Sequence, residues 1–393
     1  MDRKVLAIEI LMNGCPGAFI DFFFLTHKDL MDGERPSDEE LLALGLDPER
    51  HERAEQMPGE AMRLLKDHLA EAEACQRARD VEGVYGAWEK AAQYFVSSHE
   101  YKTAAYFYAK CLHVATSTGW AQGQMDAHLN LGIVSERLGR MEDAVAYHER
   151  HLELAREHGA AAHRGQAERN LLDLYARQAD AARARGDLAT EDRSLRQMSE
   201  AARECGNVAA EGEAQLRIGQ GLMRTGNHLE ALDALRVFLE ASRAAGDVRK
   251  EGLAHYLVGQ CLDKLRRPDE ALQSLREYRR LSGTEAEASD GVRGVDRAGL
   301  AEAACRMGQI LFRKGEYREA CEHFSDMWTH ARAVGDRRRV ATAKANLGVA
   351  RGMAMRAPYL ALVRDDLPGT LAWKSGREPF GGAQFVSGVD AEG

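Results

Sequence analysis

The sequence predicts an all-α protein, a superhelical solenoid of stacked antiparallel helix pairs, and three observations predict it. Apolar residues recur at three- and four-residue steps through most of the chain, which is the period of one face of a helix. A unit of two such runs around a tight turn returns about every 40 residues. Each unit offers too little apolar surface to fold alone, so neighbours must stack to bury a continuous core.

The clearest copy lies between Gln124 and Gly159. Ala127, Leu131, Val134 and Leu138 form the stripe of its first helix, and Gly132 lies beside that stripe, where a missing side chain lets a second helix approach. Gly139 stops the helix, since glycine adopts the left-handed conformation past a helix end without steric cost. Met141, Ala144, Val145, His148 and Leu152 carry the second helix, which stops at Gly159.

The same landmarks recur in register. The small residue falls at Ala92, Gly132, Gly219, Gly259, Gly308 and Gly348, with Leu172 in one copy, at separations of 40, 40, 47, 40, 49 and 40 residues. Seven residues later come the turns at His99, Gly139, Gly226, Arg266 and Gly315. Five further on stands Ala104, Ala144, Ala231, Ala271 or Ala320. Second helices end at Gly119, Gly159, Gly206, Gly246 and Gly335.

In chain order, residues 1–30 form an apolar helical segment with Val5, Leu6, Ile8, Ile10, Phe19, Phe22, Phe23 and Phe24, too apolar to stand in water. It either caps the first repeat or docks on another protein. Residues 31–58 read as an acidic, turn-rich linker with one short helix from Asp38 to Leu44. The repeat array occupies 59–356, opening with a degenerate half-repeat. Its third repeat gains seven residues with no breaker before Gly186, so that helix lengthens by nearly two turns. Its sixth gains nine at SGTEAEASDGVRG, where the glycines predict a loop. Residues 357–393 hold Pro358, Pro368 and Pro379 and read as an extended tail, either flexible or lying along a partner through Trp373, Phe380 and Phe385.

Composition narrows the function. A net charge of −9 and a pI near 5.9 argue against a general nucleic-acid binder, and Arg337, Arg338 and Arg339 read as a solvated helix start. The 7 cysteines (Cys15, Cys75, Cys111, Cys205, Cys261, Cys305, Cys321) are widely spaced without a CxxC pair, the pattern of small core residues in a reducing compartment. No apolar run reaches the length of a membrane span. The sequence holds no phosphate loop, dinucleotide fingerprint, nucleophile elbow or HExxH motif, and predicts neither an enzyme nor a cofactor. His148 and His151, with Glu149 and Glu153 near in sequence, permit a metal site, but surface histidines of an amphipathic helix are the commoner reading.

The phrases LNLG, RLGRMEDAVAYHERHLELA and RKGEYREACEHF resemble the tetratricopeptide repeat over roughly residues 60 to 356. The common form of that repeat has 34 residues, and six more add about one and a half helical turns. The long form is similar to the repeats of the Leu-Gly-Asn proteins that modulate heterotrimeric G proteins, which implies a cytoplasmic G-protein, polarity or cargo adaptor.

In stacked helix pairs the first helices line the concave side. What the resemblance implies is a groove there for a peptide or a partner helix. Two places before the small residue stand Asn130, Asn170, Arg217, Arg306 and Asn346, with Leu257 departing from the pattern. One place after it come Gln220, Gln260 and Gln309, and five after come Arg137, Arg224, Lys264 and Arg313. Amides offer donor and acceptor to a peptide backbone, and arginine meets a carboxylate with two parallel bonds. The same residues could instead form only a solvated inner face or bond to adjacent helices.

The start GAFIDFFFL, the stretch AEAEACQRARDVEGVYGAWEKAAQYF and the closing NLGVARGMAM resemble the tetratricopeptide proteins of motile cilia. That resemblance implies a cytoplasmic and axonemal location. The partners it implies are proteins: axonemal or dynein-arm components, microtubule-associated ones included.

Overall fold

The computed structural model describes residues 3–26, 59–288 and 296–376. These form 17 helices and no strand. In chain order they are α1 (Arg3–Met12), α2 (Pro16–Thr26), α3 (Gly59–Ala78), α4 (Val81–Ser97), α5 (Tyr101–Thr118), α6 (Ala121–Arg137), α7 (Met141–Glu157), α8 (Ala161–Arg185) and α9 (Leu188–Glu204). Then follow α10 (Val208–Thr225), α11 (His228–Ala244), α12 (Val248–Lys264), α13 (Pro268–Ala288), α14 (Arg297–Lys314), α15 (Tyr317–Val334), α16 (Arg337–Asp365) and α17 (Leu367–Gly376). The chain divides into two compact units, residues 1–181 and 182–393.

The hairpin turns are set by backbone sterics. Gly139, Gly226 and Gly315 have φ of +74°, +88° and +86°, and the glycines that end second helices lie between +65° and +79°. His99 and Arg266 take the same left-handed conformation at φ +61° despite their side chains. After many of these turns an acid or amide caps the next helix, as Asp247 does by accepting a hydrogen bond from the Lys250 amide at 3.0 Å.

Within a hairpin the two helices touch at the small residue. A Cβ on Gly219 would stand 2.8 Å from Leu235 Cγ and 3.5 Å from the Ala231 carbonyl, and one on Gly259 would stand 2.9 Å from Leu275 Cγ. Ala104, Ala144, Ala231, Ala271 and Ala320 are all fully buried, because any larger side chain would hold the helices apart.

In the first unit α1 and α2 lie on α3. Leu6, Ile10 and Phe22 are buried with Leu65 and Leu69 in one core that continues into Phe95 and Phe107. Polar contacts fasten the same helices: Glu73 accepts from the Ala18 amide at 2.7 Å, Lys66 pairs with Glu9 at 2.9 Å, and Asp21 takes both Lys110 and the Tyr106 hydroxyl. In the second unit one core runs from Leu216 through Phe238, Leu275 and Leu311 to Leu347.

The structure departs from the sequence reading at two places. The first part of the expected loop of the sixth repeat is helical up to Ala288, since Glu and Ala after Gly283 are strong helix formers with no breaker among them, and its remainder, 289–294, lies outside the described residues. The expected extended tail is helical through residue 376: α16 runs on past Pro358, and α17 returns beside it. Pro358 forfeits one backbone hydrogen bond, but the helix beyond it has something to pack on, the Tyr359 ring meeting Trp373 at 5.9 Å. Pro368 stands in the first turn of α17, where no intrahelical donor is needed. The third repeat lengthens as one unbroken helix, α8, of 25 residues. The short helix expected from Asp38 to Leu44 and the tail beyond Gly376 lie outside the described residues.

Candidate interaction surface on the first helices

The amides of the expected groove sit half-buried at matched positions: Asn130 on α6, Asn170 on α8, Gln220 on α10, Gln260 on α12 and Asn346 on α16. Gln309 is exposed and donates to Cys305 Sγ at 3.4 Å on its own helix. Half-burial orients such a side chain while leaving part of it to solvent, the condition a backbone-reading amide needs.

The cations divide into two groups. Arg313 on α14 pairs with Asp263 on α12, Arg224 on α10 lies 3.6 Å from Glu191 on α9, and Arg306 on α14 is held three ways. It donates to Tyr256 Oη at 3.4 Å, lies 5.8 Å from the centre of that ring, and pairs with Glu302 at 3.2 Å. Arg217 is half-buried. Arg137 and Lys264 are exposed and carry no ion pair among the described residues.

A further arginine shares this position and was not singled out above. Arg177, five residues after Leu172, pairs with Glu136 on α6. Glu136 and Asp263 each stand four places after the small residue of their own first helix, so Arg177–Glu136 and Arg313–Asp263 are the same clamp between successive first helices, once in each unit. The sequence signal was an acid at the fourth place and an arginine at the fifth, one repeat apart.

Glu136 also accepts from a fully buried residue, His148 Nε2, at 2.9 Å. Burial alone would raise the Glu136 carboxyl, but the His148 and Arg177 contacts outweigh it and hold it below its usual range. His151 Nε2 lies 3.0 Å from His163 Nδ1, and burial together with the neighbouring histidines depresses His151 to about 4. The metal reading of the sequence loses its carboxylates: Glu149 accepts from Tyr175 Oη at 3.1 Å and Glu153 pairs with Arg150 at 2.8 Å, each away from the imidazoles. No group of three or more histidine, cysteine or acidic side chains among the described residues could hold a metal ion.

All 7 cysteines are free thiols, four buried and three half-buried; burial lifts Cys261 to about 11, so it stays protonated near neutrality. No helix among the described residues is long and apolar enough to cross a membrane.

No protein-family model matches the chain, and no curated protein is similar to it. Solved structures are similar in part. A STAND-type signal transduction ATPase with a tetratricopeptide repeat sensor from Pyrococcus horikoshii is 15% identical over 78% of this chain and 45% of its own, with a TM-score of 0.40. Kinesin light chain-like repeats from Podosopora anserina are 14% identical over 55% of this chain and 97% of theirs, TM-score 0.34. The TPR2AB domain of yeast Sti1, in its complex with pHSP90, is 16% identical over 69% of this chain and 99% of its own, TM-score 0.27. None superposes closely enough to bear on what this chain binds. By its own helix order and hairpin contacts, each unit is built of stacked antiparallel helix pairs.

Proposed function

We propose that the chain is a non-catalytic scaffold that holds a peptide or helix of another protein against its first helices. The observation that carries this reading is the half-burial of first-helix amides at matched positions within each unit, Asn130 and Asn170 in the first and Gln220, Gln260 and Asn346 in the second, beside Arg137 and Lys264, which carry no ion pair among the described residues. Contacts within the array engage three of the expected carboxylate readers, Arg224, Arg306 and Arg313, so the amides dominate recognition and acidic termini matter less. The testing variant is Arg137→Glu with Lys264→Glu, which touches only exposed positions. Helicity and melting stay as in the parent chain, and proteins captured from ciliary extract fall several-fold. Unchanged capture removes the first-helix face from the account.

The setting we propose is the motile cilium, in association with axonemal dynein or its assembly and transport, with microtubule-associated proteins among the neighbours. Its support is the sequence plan, which resembles tetratricopeptide repeat protein 29 of motile cilia. Fractionation of flagella tests it: absence of the chain from axoneme and matrix alike would end this reading. A second reading, a G-protein or polarity adaptor of the Leu-Gly-Asn type, is favoured by the 40-residue spacing of the small residues. Purified Gα subunits that fail to bind the full chain in either nucleotide state would dispose of it.

A further inference from the structure

The junction between the fifth and sixth repeats holds a cleft that the first-helix reading does not use. Elsewhere a second helix passes to the next first helix through two or three residues, as α11 does to α12 between Ala244 and Val248. Here α13 runs on to Ala288 and α14 begins at Arg297, a longer interval than at the other junctions. A cleft of about 480 Å³ remains between the first turns of α12, the end of α13 and the start of α14.

Its walls are mainly apolar and aromatic. Tyr256 and Tyr278 lie with ring centres 5.3 Å apart, with Leu281 beside them and Val248 and Leu253 at the rim, 39% and 38% exposed. Both rings are anchored from behind. Tyr278 Oη donates to Asp296 Oδ2 at 3.2 Å, occupying space that a Cβ on Gly299 would need, and Arg306 lies against Tyr256. Asp296 is also committed, capping α14 through the Gly299 amide at 2.8 Å. Two cations stand at the rim, Arg249 and Lys250; Arg249 is engaged elsewhere, and the exposed ammonium of Lys250 carries no ion pair among the described residues. A cleft of this size with rigid aromatic walls and few polar groups is built to take an apolar body with one oriented polar contact.

The second unit has another cleft, of about 520 Å³, lined by Arg196, Glu200, Arg203 and Asp233, but Arg196 and Arg203 are already paired with Asp192 and Glu211. It offers neither an apolar wall of aromatic rings nor a spare charge of one sign.

We propose that the cleft at Tyr256 and Tyr278 is a second docking site, taking a partner peptide that inserts one aromatic or long aliphatic side chain and sets an acidic residue against Lys250. The acid is the complement of the rim's spare cation. The anchor is the complement of its walls. Its rim residues Val248, Lys250 and Leu253 belong to the first turns of α12 and are not among the groove residues, while Arg306, which is one, braces the Tyr256 wall.

The test is selection of a random peptide library displayed on phage against the full chain, with Leu253→Asp and Lys250→Glu variants as counter-targets. Both side chains are exposed at the rim, and a thermal melt checks that each variant folds. Lys250→Glu keeps the test open should Leu253→Asp unfold. Expected are peptides with an aromatic or long aliphatic residue and an acid within a turn of it. They should lose about tenfold in affinity on Leu253→Asp and about fivefold on Lys250→Glu, and keep their affinity on Arg137→Glu with Lys264→Glu. Recovery only of peptides indifferent to both rim variants overturns the proposal. That is also the result if a second copy or a segment of this chain fills the cleft.

Discussion

The His148 imidazole occupies the space that a Cβ on Gly132 would need. In the hairpins of Gly219, Gly259 and Gly308 the same position under the small residue belongs to Leu235, Leu275 and Phe324, so this repeat has a buried, hydrogen-bonded imidazole where those three have hydrocarbon.

The first prediction concerns that contact. The His148 ring is fully buried and tied to Glu136, so it cannot swing aside, and Gly132→Ala should cost about 1–3 kcal/mol by overpacking. Gly348 stands at the same place in the last first helix, but nothing lies within 4 Å of its Cβ position. Gly348→Ala should therefore be neutral or stabilise by up to about 1 kcal/mol through helix propensity. Urea unfolding of the two variants decides; equal effects would contradict the packing described.

The second concerns turns. His99 and Arg266 hold φ of +61°, a conformation that costs roughly 1–2 kcal/mol for a residue with a Cβ. His99→Gly and Arg266→Gly should raise the unfolding midpoint, and Gly139→Ala, at φ +74°, should lower it. Melting curves of the three variants are sufficient, and the two signs must be opposite.

The third concerns pH. Burial, with the charge of Arg150, depresses His128 to about 4, and burial with its histidine neighbours does the same to His151, against an ordinary 6.5. His255, His323 and His330 are displaced in the same direction, chiefly by burial. Between those values the unfolded chain binds more protons than the folded one, so stability rises with pH through that window and is lost as pH falls from about 6.5 towards 4. Glu136, held low by His148 and Arg177, adds loss in the same direction at the acid end. Thermal midpoints should be level above pH 7 and fall by several degrees at pH 5. His151→Phe should flatten part of that slope.

The fourth separates the two clamps. Asp263→Ala removes an exposed ion pair with Arg313 and should cost under about 1 kcal/mol. Glu136→Ala also strips His148 Nε2 of its acceptor at a fully buried ring, and should cost about 1–3 kcal/mol more. A double-mutant cycle with Arg177→Ala then isolates the surface share; equal losses for the two acids would show that the His148 contact contributes nothing.

Much of this molecule could be read without coordinates. Helix periodicity and left-handed glycines are local properties, carried within a few residues of chain. That is why the landmarks from Ala104 to Ala320 and from Gly119 to Gly335 locate the buried seams and the turns. The two misreadings had non-local causes. Pro358 and the glycines near it argue for a tail when read locally, and only the Tyr359–Trp373 contact, formed when α17 returns, offsets the lost hydrogen bond. Helical residues up to Ala288 follow from local propensity, but the glycines around them hid it.

For the candidate surface the division is sharper. Sequence by itself determined the kind of unit, its number, its turns and which side chains share a register. Tertiary structure alone decided which of those side chains remain available, because an arginine at the fifth place meets its acid on a helix some 40 or more residues away. Charge pairing depends on distance in space, and no local period encodes it. The same holds for the cleft beside Tyr256 and Tyr278, a void defined by three helices that no single stretch of the chain contains.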